Sequence, residues 1–490
     1  MKKVLALILA LTLVAACFVG CGKKEADGDI PTLVWYVPGD AQEDTALVME
    51  AANKIVEKEI GARIDLKFLD QSAFSQKMEL KMASKDDFDL CFTGYINVYS
   101  KAAKLGGLEP LDELLKLTPD LVEATPQFYW DAAKVDGKIY AVPNQQIVAA
   151  QSCPFIPVEL VEKYNLDVDS ITEYSQLEPF MKAVYENEDG IWPWRNRNAY
   201  FKVDGTFEEI VPIGIAIDKD SFDGETGIDV VFTDNHESFL EGMRIRYSWY
   251  EKGYIRKDVL SATDDNSDYL AGKYAMDIQT YKPGVEVNIK NVLGKDVVAV
   301  RNIAKPYIKA GACQSTMIGI GKNSKHKEEA MKFIELINTN KELYNLICFG
   351  IEGVHYDLNE DGFVVKKEDS KYAPEADWKF GNQFNALVRE GADADVWEQT
   401  EALNNEAVEL DQVSPVLGFS FDNSKVEAEI TALTAYRKEK GTAYFVGAKS
   451  IEDGYDDYIQ GMYDRGLEKV IAEAQRQVDA FLEEKARNSK

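Results

Sequence analysis

The stretch Asp357-Leu-Asn-Glu-Asp-Gly-Phe-Val-Val-Lys-Lys-Glu368 carries side-chain oxygens at its first, third and fifth positions, glycine at the sixth and glutamate at the twelfth. That spacing wraps oxygen ligands around calcium, with the glycine making the sharp turn. Asp357, Asn359, Asp361 and Glu368 would be the side-chain ligands. An EF-hand also needs a helix on each side. Here Gly353-Val-His-Tyr356 precedes the stretch and Asp369-Ser-Lys-Tyr-Ala-Pro374 follows it, and neither flank is helical in character. Tyr356, Leu358, Phe363 and Val365 instead suggest two short strands closed by Asn359-Glu-Asp-Gly362, because Asp-Gly favours a hairpin turn. Calcium bound here would brace a hairpin and would not be the function, and no cofactor is required.

Signs of covalent catalysis are missing. The chain has no G-x-S-x-G, and His236, His326 and His355 show no metal-binding spacing. Adjacent carboxylates such as Asp264-Asp265 and Asp456-Asp457 point apart, whereas a glycosidase needs two that converge across one bond. With 84 acidic residues such a pair is not excluded by sequence. The glycine-rich stretch Gly441 to Ser450 has one residue too many for a phosphate loop and follows no clear strand.

The elements that would position a site follow from composition and periodicity. At 490 residues and 46% hydrophobic content, the chain can build two or three domains with full cores. Lys2 and Lys3 precede an apolar run from Val4 to Ala16, the pattern of a secretory signal and too short for a bilayer span. Phe18-Val-Gly-Cys21 resembles a bacterial lipobox, and Val14-Ala-Ala-Cys17 is a second candidate. Cys21 is favoured for lipidation because the polar tether begins directly after it. Cys91, Cys153, Cys313 and Cys348 form no C-x-x-C pair and read as buried apolar residues. A net charge of −29 argues against nucleic acid and anionic surfaces as partners.

Strand TLVWYV at 32–37, a helix from Glu43 to Ile60, strand 62–69, a helix from Ser72 to Ser84 and strand FDLCF at 88–92 alternate at the spacing of parallel crossover units. Ligands of such sheets sit beyond the strands' carboxyl ends at the switch point. That singles out Trp35 and Asp40 at the end of the first strand, and Tyr95 and Asn97 after the third. Gln145 and Gln146 follow a strand that ends at Pro143. Trp192 and Trp194 lie in a loop-like segment, EDGIWPWRNRNAY, and Trp378, Asn382 and Gln383 bring a ring close to two amides.

Taken in order, Trp35 to Asp40, Phe88-Asp-Leu90, Lys134-Val-Asp-Gly-Lys-Ile-Tyr-Ala-Val-Pro143 and Glu328-Glu-Ala-Met-Lys-Phe-Ile334 resemble family-one extracellular solute-binding proteins. These are the capture components of ABC importers. Gly350 to Tyr356, Trp378 to Phe384 and Ser414 to Asp422 are similar to a subfamily with a C-terminal domain of unknown function. The resemblance implies an α/β, two-lobed periplasmic-binding-protein fold of type II, with doubly wound sheets joined by hinge strands. It further implies a carbohydrate, usually an oligosaccharide, held between the lobes by a monomer and handed to ABC permease subunits. These aromatics would then stack on pyranose faces and the amides bond hydroxyls. The expected plan is a signal peptide at 1–20, a tether at 21–31, lobe 1 at 32–147, lobe 2 at 148–294, a return to lobe 1 at 295–325, and a helical region at 326–490 completing lobe 2 and the hinge. A peptide or other solute on the same scaffold, or a secreted glycoside-processing enzyme, is the competing reading.

Cys21→Ala is expected to move the protein from the membrane fraction to the medium. Unchanged membrane retention in C21A, with loss in Cys17→Ala, would reassign the anchor.

Overall fold

The computed structural model describes residues 30–96, 98–195, 206–262 and 265–488. Cys17, Cys21 and Asn97 lie outside the described residues. Alternation in the first strand, Thr32–Pro38, sends Leu33, Trp35 and Val37 to full burial. It sits in a five-stranded sheet of order Arg63–Leu69, Thr32–Pro38, Leu90–Gly94, Thr316–Ile320, Ala141–Pro143. The first three strands are parallel, as crossover helices require, and the last two run antiparallel to their neighbours. The crossover helix Thr45–Ile60 buries Val48, Met49, Ala52 and Val56, and Gly61 stops it in the left-handed conformation at φ 68°.

Helices Lys327–Thr339 and Lys341–Phe349 also pack on this sheet, burying Phe333, Ile334, Ile337, Tyr344 and Ile347. Tyr356, Val364, Tyr372 and Phe380 join the same core. The expected plan has 326–490 completing the second lobe and the hinge, whereas here Phe333 to Phe380 share the core of the first sheet. A short connection from strand Thr316–Ile320 keeps the following helix on its own sheet, and the chain stays there through the hairpin.

The second lobe is antiparallel, so the doubly wound arrangement is confined to the first. Strand Ala149–Pro157 lies between Asp277–Tyr281 and Val297–Ala299 over a core that includes Phe155, Phe180, Trp194 and Trp249. A separate meander, Phe207–Val211, Ile215–Asp218 and Asp229–Phe232, packs against the C-terminal helix Leu467–Asn488. That helix turns Leu467, Val470, Ala474, Val478 and Leu482 inward. Within this core Asp234, fully buried, accepts two 2.8 Å bonds from Arg437 and one of 2.7 Å from the Tyr458 hydroxyl.

The lobes are joined by buried extended backbone. Asn404, on helix Val396–Glu409, accepts from the Val148 and Ala149 amides at 2.9 and 3.0 Å and donates to the Gln146 carbonyl at 2.8 Å. Cys91, Cys153, Cys313 and Cys348 are buried free thiols, and burial pushes Cys91 and Cys153 up to about 12. They are therefore protonated and unreactive at neutral pH. Among the described residues no helix is long and apolar enough to cross a membrane.

Arg437→Met strands a buried carboxylate and is expected to cost about 3–5 kcal/mol of stability. Tyr458→Phe removes one donor and should cost about 1–3 kcal/mol. Urea unfolding measures both, and losses below about 1 kcal/mol would mean that water reaches Asp234.

Candidate functional site

Because the first three strands are parallel, Pro38-Gly39-Asp40 and Gly94-Tyr95 emerge on one edge of the sheet. Gly94 has φ 141°, and a Cβ there would lie 2.1 Å from the Ser315 carbonyl oxygen. Only glycine permits this approach, in which the Tyr95 amide donates to that carbonyl at 3.0 Å. The result presents the Tyr95 ring, 52% exposed, at the edge. Its centroid is 6.0 Å from that of the half-buried Trp378, tilted by 50°, and Phe92 meets both rings edge-on. These rings form an open aromatic corner.

Trp378 is held by its backbone on a single turn, Asp377–Lys379. The Tyr344 hydroxyl donates to the Asp377 carbonyl at 2.8 Å and the Asn144 amide to the Trp378 carbonyl at 3.1 Å. Lys379, 5% exposed, donates from Nζ to the Pro38 carbonyl at 2.8 Å. Burial pulls this ammonium down to about 8, against an opposing pull from the Asp40 carboxylate. Gln383 completes the wall, its backbone amide donating to the Gln145 carbonyl at 2.8 Å and its side chain to Asp377 at 3.3 Å.

Across the hinge, strand Asp277–Tyr281 pairs antiparallel with Ala149–Pro157, placing Tyr281 opposite Gln151 at the hinge end of the second sheet. The Arg301 guanidinium lies 4.3 Å above the Tyr281 ring and donates to Gln151 at 3.1 Å. An aromatic ring therefore stands at the hinge-facing end of each lobe. A cavity of about 410 Å³ lies elsewhere, between Lys104, Asp131 and Gly137 and the C-terminal helix. Its rim mixes opposite charges and includes none of these rings, so it is not the favoured site.

The chain is 30% identical over 482 residues to a carbohydrate ABC transporter substrate-binding protein of Streptococcus pneumoniae serotype 4, covering 96% of each. The chain belongs to the carbohydrate ABC transporter substrate-binding proteins. Residues 415–483 match a domain of unknown function, DUF3502. The N-glycan transport solute binding protein NgtS of S. pneumoniae superposes with TM-score 0.75 and 28% identity, over 92% of this chain and 99% of that one. Its complexes with Man1GlcNAc and Man5GlcNAc give 0.62 and 0.58 at 27% and 28% identity, again over 92% of this chain and 100% and 99% of theirs.

Members of this family capture carbohydrate outside the cytoplasmic membrane, and the relatives are binding proteins rather than enzymes. Against that function, the described residues singled out by sequence fall into four groups. Asp40, Tyr95, Trp378, Asn382 and Gln383 line the first lobe's edge, where Asn382 spends its carbonyl oxygen capping the next turn through the Phe384 amide. Gln145 and Gln146 lie just behind, bonded to the Thr125 and Thr316 hydroxyls. Trp35 and Trp194 are core residues. Trp35 is fully buried between Phe333 and Phe380, and Trp194 is 2% exposed and 5.0 Å from Trp249. Neither can offer a face to a sugar. Trp192 is half-buried beneath Arg256 and beside Tyr274, apart from the aromatic corner.

The calcium-loop residues are engaged within the fold. The segment is the hairpin Tyr356–Leu358 and Val364–Lys366. Asn359 spends its carbonyl oxygen on the Asp361 and Phe363 amides, and Asp357 pairs with Lys367 at 3.1 Å. Among the described residues no group of three acidic, histidine or cysteine side chains is arranged to hold a metal.

Sequence reasoning missed Tyr281 and Lys379. The strand end Tyr281-Lys-Pro-Gly284 does echo Tyr36-Val-Pro-Gly39, and that is the available signal for Tyr281. Lys379 had none.

Lys379 also leaves a trace in stability. The unfolded chain binds this proton up to about 10.4 and the folded protein only to about 8, so stability contributed here rises with pH between those values. Lys379→Met should lack that rise. The gap between wild type and variant in urea midpoint should shift toward wild type from pH 8 to pH 10, and a constant gap would place the lysine in solvent.

Proposed function

We propose that this protein captures a mannose–GlcNAc oligosaccharide in the cleft between its lobes and hands it intact to the permease of an ABC importer, while tethered outside the cell through Cys21. The observation that carries this is the aromatic corner of Tyr95 and Trp378 at the carboxyl edge of the first sheet, together with a 28% identical relative solved with Man5GlcNAc. Pyranose rings carry flat C–H faces that match exposed aromatics, and their hydroxyls need convergent polar partners. Asp40 and Gln383 supply these beside the corner, and Tyr281 supplies the ring from the opposite lobe. Asn382 would contribute its amide N–H groups, since its oxygen is already engaged.

The lobe assignment that supports this reading gives the first lobe 32–143 and 316–389, and the second 149–308 with the DUF3502 region. The TM-score to NgtS falls from 0.75 to 0.62 and 0.58 when the comparison is with its glycan complexes, which supports an arrangement of this chain's lobes unlike the glycan-bound one. Binding then closes the lobes about the segment held by Asn404.

Isothermal titration of the protein lacking residues 1–21 with mannose–GlcNAc glycans should give saturable heat, with the glycan recovered unchanged by chromatography. Trp378→Ala should weaken binding at least tenfold, about 1.4 kcal/mol. Cleaved product would make it an enzyme, and thermal stabilisation by peptide pools but not by glycans would make it a peptide binder.

A further inference from the structure

We propose that Arg301 is a positioning residue for the second lobe's half of the glycan site: its guanidinium covers one face of the Tyr281 ring and holds that ring so that its remaining surface and its hydroxyl meet the sugar. This rests on the oligosaccharide reading above. The guanidinium carbon lies 4.3 Å from the ring centroid. The face of an aromatic ring is its negative side, so the cation is drawn onto it, and the face it covers is closed to a sugar.

Tyr281 and Gln151 stand opposite each other in the antiparallel pair at the hinge end of the second sheet. Opposed residues project from the same side of a sheet, close enough for one long side chain to touch both. Arg301 does so. Its Nε donates to the Gln151 side-chain oxygen at 3.1 Å. The Gln151 side-chain nitrogen donates in return to the Arg301 and Ala304 carbonyls at 2.9 and 2.6 Å. One buried glutamine therefore grips both the backbone and the guanidinium of Arg301, which makes the arginine the fixed partner and the ring the guided one.

A further tie runs to the hinge. Arg301 Nη2 stands 3.5 Å from the Glu406 carboxylate, on the helix whose Asn404 bonds the Val148 and Ala149 amides. With both side chains substantially exposed, this ion pair adds little strength, so Gln151 is the main anchor.

The Tyr281 hydroxyl bonds no other group among the described residues, although the ring is half-buried. Tyrosines in such settings ordinarily engage the hydroxyl. A sugar hydroxyl, able to donate and to accept, is a partner of the right chemistry. Arginine suits the task because a planar guanidinium stacks on a ring while its Nε edge bonds an amide oxygen, which a lysine ammonium cannot do in one geometry.

The test is a double-mutant cycle read as Man5GlcNAc affinity by calorimetry. Tyr281→Ala and Arg301→Met should each weaken binding about tenfold, and the double variant should bind no more weakly than Tyr281→Ala, because the arginine acts through the ring. Arg301→Lys, which restores the cation without the Nε bond, should recover to within about threefold of wild type. Arg301→Gln also removes the cation and takes the place of the methionine variant in the cycle should that variant not fold. The proposal is overturned by wild-type affinity in either folded charge-removing variant, by a loss that adds to that of Tyr281→Ala, or by Arg301→Lys binding as weakly as Arg301→Met. Wild-type affinity in Tyr281→Ala also overturns it and leaves the glycan reading standing. Absence of any glycan binding by wild type instead removes the oligosaccharide reading itself.

Discussion

The arrangement of the whole molecule depends on a stretch of backbone that must cross from one sheet to another while buried and without regular structure. Its amides and carbonyls cannot go unpaired. Asn404 satisfies three of them with one side chain, and the Tyr129 hydroxyl adds a second bond to the Gln146 carbonyl at 3.0 Å. A side chain can do this at a hinge where a sheet ladder cannot, because the bonds converge on one point and leave the flanking residues free to rotate. The second passage is treated alike. Buried Gln314 donates to the Ala132 and Gly418 carbonyls, and the buried Glu208 carboxylate accepts from the Ala310 amide and the Tyr307 hydroxyl.

The aromatic edge of the first sheet inherits its geometry from this crossing. Ser315, just before the strand returns to the first sheet, is the residue that Gly94 touches, so the hinge and the Tyr95 loop are in direct contact. Asn144, at the start of the other crossing, holds the Trp378 carbonyl. Both passages therefore touch residues beside the aromatic corner.

The C-terminal region is secured differently. Its helices bury an apolar stripe against a meander, and the buried Asp234–Arg437–Tyr458 network fixes the register between them. A hydrophobic interface alone tolerates sliding, whereas a fully satisfied buried carboxylate admits one alignment. The matched DUF3502 segment thus shares its core with the meander, and none of the aromatic-corner residues falls within it.

Periodicity located the alternating strands and helices between 32 and 92, since alternation and the 3.6-residue repeat are local properties, but it did not reveal the antiparallel strands between 149 and 281. The parallel crossover pattern placed Asp40 and Tyr95 on one edge before any coordinates. The sequence also carried the whole calcium-loop spacing, yet spacing fixes only which oxygens are present. In the folded hairpin Asn359 turns its oxygen onto backbone amides. Trp35 and Trp194 show the same boundary, because loop-like or strand-end context says nothing about which rings will cover an indole. Only tertiary structure joined Tyr95 to Trp378, Lys379 to Pro38 and Asn404 to Val148, pairs separated by hundreds of residues. Such contacts are set by how sheets and helices pack over long range, and no local pattern in a single chain encodes them.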